Sequence, residues 1–471
     1  MKKMIALCLI LGILAGIYPF CVTAQDSLAV QFGCSSLKAL MPLAGQEKLL
    51  TSAETALLYE MNTGTLVYAY NPDHRINPSS MVKIMSALVA LENGNLNDMV
   101  RVERATLDSV PIGTVSAGLR RDEEISLLDL VYCCLVASAN DATAVMAEHI
   151  AGSQQAFVDM MNEKARLLGC VDTQFSNVNG LNDDIQYSTA RDLGIITAAA
   201  LENETFKTIF ETEKHVIPAT NLSDARTIHT TNYMMTDEKV KGYVDSRVTG
   251  GKTAAAVQTK RSLICTAEVG SARYLSIVID AKSVMSQDNI SVVSFGSFLE
   301  TAELLDFAQQ NYEVRQILDN TQAFSQYGVQ NGDSDVVVSP GSDLFTVLPL
   351  EFAPELLQLS TTVASSKLTA PIEKGDPLGS VRVSYNGIIL GECDLSAMFR
   401  VSLVNTVIKP AAPIEQEDQQ QPVLPVFKWL LIAVVGIVVL VLLVILFRKI
   451  IHNAKIRDLH RRRKRNRRRS R

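Results

Sequence analysis

Ser80 and Lys83, within Pro78-Ser79-Ser80-Met81-Val82-Lys83, are the first residues whose types and spacing suit joint chemistry. At the start of a helix, a spacing of three puts hydroxyl and amine on one face, within hydrogen-bond reach. A serine hydroxyl is a weak nucleophile until a neighbouring base takes its proton. A lysine is such a base only where desolvation or a second cation lowers its pKa. The helix N-terminus adds backbone N–H groups suited to an oxyanion. Taken alone, the spacing reads as no more than an N-capped surface helix. Ser138-Ala139-Asn140 follows a strongly apolar run, 127–137. It is either a cap or turn, or a hydroxyl that relays a proton beside an amide that holds a substrate. Lys252-Thr253-Ala254 follows Gly250-Gly251 and precedes an apolar strand from Arg261. It is an edge strand guarded by a charge, or an edge that pairs with an extended peptide and grips a carboxylate.

The elements around these groups are legible. Residues 53–70 predict a hairpin, with Asn62-Thr63-Gly64 as the turn. Ile84, Leu88 and Leu91 recur at helical spacing, and 127–137 is a second helix. An amphipathic helix over 156–168 stops at Gly169, and another opens at 187–192 and runs through Ala200. Strands are expected at 261–267 and 274–279, then a helix at 295–309. Strands, then helices, then strands again predict an α+β domain, an antiparallel sheet with helices packed on it, over 36–308. From about 312 short apolar stretches alternate with Gly, Pro, Asp and Ser, which predicts a small all-β domain over 312–405. Residues 406–425 are Pro/Gln-rich and read as an extended linker.

The ends place the chain. Lys2 and Lys3, an apolar run over 4–20 and Val22-Thr23-Ala24 read as a signal peptide, 1–24, with an uncut anchor as the alternative. Residues 429–447 hold no charge and as a helix would span ~28 Å, close to a bilayer core. A transmembrane helix is therefore expected over 426–447, with Lys428 and Trp429 as interfacial anchors. Net charge is −6 overall, +12 over 448–471 and +2 over 1–24, so 25–447 carries −20. So acidic a body excludes a general nucleic-acid binder. The basic tail reads as a cytoplasmic stop-transfer segment that touches anionic lipid, with no specific nucleic acid as partner. The expected topology is a single-pass membrane protein with its body outside. Cys34, Cys133, Cys134, Cys170, Cys265 and Cys393 remain after the signal, without metal-ligand spacing, and no essential disulfide framework is expected.

In this order and at these separations, the three groups resemble the signature of the penicillin-recognising serine enzymes. Within that superfamily the chain resembles the low-molecular-mass penicillin-binding proteins that are D-alanyl-D-alanine carboxypeptidases. The likeness is carried by 76–88, 135–142, 177–181 and 187–193, and spans roughly 52–307. Ala370-Pro371-Ile372-Glu373-Lys374-Gly375-Asp376 is similar to that family's C-terminal domain. The resemblance implies a β-lactamase/transpeptidase-like domain that acts on peptidoglycan stem peptides and binds β-lactam antibiotics, with no metal or organic cofactor. It implies that Ser80 attacks the carbonyl between the last two D-alanines and that Lys83 takes its proton. Ser138 and Asn140 would relay protons and hold the peptide. Lys252 and Thr253 would bind near the terminal carboxylate, and the backbone N–H groups of Ser80 and Ala255 would form the oxyanion hole.

The sequence also departs from the pattern. The family's triplet usually ends in Gly, and here Ala254 adds a methyl where a substrate backbone approaches. Ala254-Ala255-Ala256 replaces the usual polar and aromatic residues. The Arg often found at the end of the next strand, which holds the substrate carboxylate, aligns with Lys282, which keeps the charge and loses the fork. These departures open a second reading, a slow or inactive peptidoglycan- and penicillin-binding protein of the same fold. A β-lactamase is disfavoured by the lack of an E-x-x-L-N context after Asn140, and a Ser-His-Asp hydrolase by the lack of G-x-S-x-G.

Overall fold

The computed structural model describes residues 49–404, except 51, 258, 289, 290 and 366. The signal peptide, linker, membrane helix and basic tail expected from the sequence, and Cys34, lie outside the described residues. Among the described residues no helix is long and apolar enough to cross a membrane.

Strands β1 (Thr55–Glu60) and β2 (Thr65–Tyr70) form the expected hairpin, and Gly64 takes the positive φ (71°) that the turn requires. A 3₁₀ turn at Ser79–Met81 leads into α1 (Val82–Asn93). Helices α2 (Leu127–Leu135), α3 (Asn140–Ala151) and α4 (Gln154–Leu167) follow, then α5 (Ala190–Leu201) and α6 (Glu204–Phe210). Three long strands come next, β3 (Val248–Val257), β4 (Lys260–Val269) and β5 (Ala272–Lys282), and then α7 (Gly296–Asn311). The sheet is antiparallel, in the order β2-β1-β5-β4-β3, so β3 is an edge strand.

Alternation along the strands divides the core into two layers. Leu57, Ile264, Leu275 and Ile277 bury against α1 to α6, while Leu58, Leu263, Cys265 and Val278 bury against Phe298, Leu304 and Leu305 of α7. α2 is shorter than the apolar run suggests. It ends at Leu135, and Ser138 takes a left-handed φ of 60° before Ala139 caps α3. The side chain of Thr189 accepts from the Asp192 N–H and starts α5.

Residues 312–404 form a β-rich region: β6 (Tyr312–Leu318), β7 (Ser325–Tyr327), β8 (Val336–Pro340), β9 (Leu344–Pro349), β10 (Leu357–Val363), β11 (Pro377–Tyr385) and β12 (Ile388–Ala397). Five of these make one antiparallel sheet in the order β7-β8-β12-β11-β10, and β6 pairs with β9. Val336, Val338, Val381, Val383 and Leu395 fill its core. An α+β domain followed by a small all-β domain is therefore what this sequence folds into. Cys133, Cys134 and Cys265 are buried thiols, and burial raises the pKa of each, as expected of cysteines that serve as small hydrophobes.

Candidate active site

Ser80 stands in the 3₁₀ turn that starts α1, and the turn is fixed from three sides. The Ser79 N–H donates to Asn77 Oδ1 (2.9 Å), and the Ser79 hydroxyl donates to the carbonyl of Ala255 on the edge strand β3 (3.1 Å). Gly180 presses on the third side, where a Cβ would lie 1.8 Å from the Ser79 carbonyl oxygen. Gly180 also holds a φ of 74°, so its lack of a side chain is needed twice over. The side chain of Asn177 folds that loop by accepting from the N–H groups of Gly180 (2.8 Å) and Leu181 (3.0 Å). Ser79 itself sits at φ 46°, an uncommon conformation for a residue with a Cβ, of the kind that clusters at functional sites.

One turn along α1, Lys83 is fully buried. Its ammonium donates to Asn140 Oδ1 (2.8 Å) and to the backbone carbonyl of Asn179 (2.5 Å). Burial pulls its pKa down to about 8. Lys252, on β3, is also buried, and donates to Ser138 Oγ (2.8 Å) and to the Thr253 carbonyl (2.8 Å). Burial, and then the positive charge of Lys83, bring it down to about 7. A cavity of about 260 Å³ opens beside them, lined by Ser80, Ser138, Thr253, Ala254 and Ala255 among others. The Thr253 hydroxyl is 2.5 Å from that of Thr231.

This arrangement suits serine acyl transfer. A hydroxyl stands at a helix start, two lysines lie near neutrality, and a second hydroxyl is bonded to one of them. The family model described as D-alanyl-D-alanine carboxypeptidase matches residues 44–283. The chain belongs to that family. Residues 312–405 match the C-terminal domain of penicillin-binding protein 5. The chain is 27% identical over 354 residues, 74% of its own length and 86% of the relative's, to D-alanyl-D-alanine carboxypeptidase DacF of Bacillus subtilis. It is 26% identical over 359 residues to D-alanyl-D-alanine carboxypeptidase DacC of Escherichia coli, covering 74% and 84%. A solved structure of penicillin-binding protein 5 from Haemophilus influenzae superposes with a TM-score of 0.60 at 26% identity, over 76% of this chain and all of that one.

Within the family frame, the structure brings Ser80, Lys83, Ser138, Asn140, Lys252, Thr253 and Ala255 to one place. Pairing of β3 with β4 slips between Ala254 and Val257, which takes Ala255 out of the regular ladder, next to the Ser80 turn. Lys282 is the exception. It ends β5, which β4 separates from β3, and it lines a different cavity with Glu54, His74 and Asp280. It is not among the residues that line the cavity beside Ser80, where the alignment put it.

Several residues of the site were not found by sequence reasoning. The Asn179 carbonyl holds Lys83, and a backbone carbonyl leaves no mark in a sequence. Thr231, Tyr233 and Phe295 line the cavity from segments whose only signal was unremarkable polar or aromatic character. Arg261 also lines it, where the sequence marks only the first residue of a strand. The carboxylate of Asp141, next to Asn140, accepts from Ser116 Oγ (2.6 Å) and from the N–H groups of Ala117 (2.8 Å) and Leu119 (3.1 Å). These bonds fix the loop that carries Val115 to the cavity wall. Among the described residues no group of three or more His, Cys, Asp or Glu side chains is placed to hold a metal ion.

Proposed function

We propose that this chain is a serine-type D-alanyl-D-alanine carboxypeptidase that removes the terminal D-alanine of peptidoglycan stem peptides and is acylated by penicillins. The observation that carries the reading is the pair of buried lysines beside Ser80, with pKa values drawn to about 8 and about 7. A surface helix does not need them, and an acyl-transfer site does. Ser80 Oγ attacks the carbonyl of the penultimate D-alanine, and its proton passes to neutral Lys83. Negative charge on the carbonyl oxygen is met by the backbone N–H groups of Ser80 and Ala255. A proton delivered through Ser138, Lys252 and Lys83 reaches the leaving amine as the C–N bond breaks. Water then attacks the ester on Ser80, releases the shortened peptide and restores the hydroxyl. Asn140 orients Lys83 and the peptide, and Thr253 offers its hydroxyl to the terminal carboxylate.

Release of D-alanine from diacetyl-Lys-D-Ala-D-Ala tests the reading directly. Loss of the last residue is the expected result. An inert protein that penicillin still labels would instead be a binding protein. Ala254 bears on the rate. Its side chain stands opposite Ser262, is only 7% exposed and belongs to the same core layer as Ile264, while also reaching the cavity. A methyl largely held in the core crowds a substrate less than one facing it. Ala254→Gly should therefore raise the rate of D-alanine release only toward the lower end of the ~5- to 150-fold that relief of ~1–3 kcal/mol of overpacking allows. The gain should be smaller for penicillin acylation. A fall in both rates would mean that the methyl supports the strand.

We further propose that the body is extracytoplasmic and held by one C-terminal membrane helix, with the basic tail inside. The signal-like residues 1–24 and the uncharged stretch 429–447 followed by basic residues support this from opposite ends. Truncation before Val426 should release a soluble protein that binds penicillin. Protease added outside intact cells should spare the tail; its removal with Ser80 left intact would reverse the topology.

A further inference from the structure

We propose that Arg261 is the residue that recognises the free carboxylate at the end of the substrate, in place of the cation that alignment put at Lys282. The inference rests on the carboxypeptidase reading and deepens it. Among the described residues, Arg261 is the sole charged side chain lining the cavity beside Ser80. The two lysines of the site lie behind the wall, each 1% exposed or less and bonded to protein oxygens. They serve proton transfer and leave the anionic end of the substrate without a cation of theirs exposed to it.

Position on the sheet gives Arg261 that task. Leu263 stands directly opposite Thr253 in the β3–β4 ladder, and paired residues share a face. Arg261 lies two residues before Leu263, on the same face. The guanidinium and the Thr253 hydroxyl therefore rise on one side of the sheet, toward the start of α7. Ala254 and Ser262 point to the other side.

Its surroundings hold the guanidinium in place and leave it unpaired. The Arg261 carbon between the guanidinium nitrogens lies 5.9 Å from the centroid of the Phe295 ring, within cation–π range. Phe295 is braced by Tyr233 (5.6 Å), Tyr243 (5.7 Å) and Phe298 (5.2 Å). Arg261 Nε is buried without a hydrogen-bond partner among the described residues. Other partly buried arginines of the domain are engaged. Arg247 bonds Asp245 and Asp306, and Arg273 bonds Glu211. A half-buried fork of donors with no acceptor, facing a cavity, fits a planar carboxylate bidentately. Burial also disfavours its charge, so an incoming anion relieves a penalty already present.

The test compares substrates with and without the charge. kcat/KM is measured for diacetyl-Lys-D-Ala-D-Ala and for the same peptide ending in a carboxamide. Second-order acylation is measured with benzylpenicillin and with its methyl ester. Arg261→Gln should lower the values for both carboxylate compounds about 10- to 100-fold, the size of a charge-assisted hydrogen bond. The amide and the ester should change less than about threefold, within the scatter of a surface substitution. Arg261→Lys should fall between, since it keeps the charge without the fork. Lys282→Gln should move none of the four. Equal loss on charged and uncharged compounds would make Arg261 a merely structural residue. No change with Arg261→Gln, or loss of the preference in Lys282→Gln, would overturn the assignment. If neither peptide is cleaved, the carboxypeptidase reading fails by itself, and the pair of penicillin compounds still decides the role of Arg261.

Discussion

Ser80→Ala should abolish the covalent penicilloyl adduct and lower D-alanine release by about 10⁴- to 10⁶-fold, the scale at which loss of a nucleophile is felt in other serine hydrolases. The cavity beside Ser80 has no obvious substitute. Ser138 accepts from Lys252 in a left-handed conformation that fixes its direction, and the Thr231 and Thr253 hydroxyls are paired with each other. Ser79 is committed to the Ala255 carbonyl. The variant should fold, because the half-buried hydroxyl of Ser80 is not part of the packing that holds α1. That helix is anchored by Val82, Ile84, Met85, Leu88 and Val89, all in the core. A melting temperature within about 2 °C of wild type is expected for a change of under ~0.5 kcal/mol. Mass mapping of the adduct after penicillin treatment checks the assignment. An adduct on Ser138 or Ser79, or undiminished labelling of Ser80→Ala, would move the nucleophile elsewhere.

What could be read in the sequence follows the range of each interaction. Ser80 and Lys83 are one helical turn apart, so their spacing implied their proximity before any fold was known. The strands at 261–267 and 274–279 were equally accessible, because a short run rich in apolar and β-branched residues is a local property. Boundaries failed where tertiary contacts decide them. The apolar run over 127–137 breaks after Leu135, since Ser138 must turn left-handed to meet Lys252, 114 residues away. Lys282 lines another cavity for a related reason: alignment counts residues along β5, while the lining of a cavity is set by segments far apart in sequence. Arg261 carries no motif, and its meaning comes from standing two residues from the partner of Thr253. The Asn179 carbonyl was beyond sequence reasoning altogether. Only the approach of Gly180 to Ser79 brings it to Lys83.

Lys83→Ala should lower acylation by about 10²- to 10⁴-fold, the usual contribution of a positioned general base. It should also change the shape of the pH profile, which separates loss of a base from loss of structure. As pH rises, Lys252 gives up its proton first, near 7, pushed by burial and by the charge of Lys83. Lys83 then titrates at about 8 beside a neutral neighbour. Only neutral Lys83 can accept the proton of Ser80, so wild-type kcat/KM should climb with pH and level off above about 8 to 9. At pH 7 roughly one molecule in ten is in the active form, by the ordinary titration relation. Lys83→Ala should lose this limb, and Lys83→Arg should be as poor, because a guanidinium does not deprotonate at these pH values. The stability effect has the opposite sign. The folded pKa lies below the unfolded value, so the unfolded chain binds more protons between about 8 and 10.5, and stability rises with pH across that window. Below about 8 the buried charge is a full burden on the fold. Lys83→Met removes that burden at pH 7 and sets it against two lost hydrogen bonds. Its melting temperature should therefore stay within a few degrees of wild type while activity disappears. A Lys83 variant that keeps both its acylation rate and a rising limb near pH 7 would transfer the role of base to Lys252, working through Ser138.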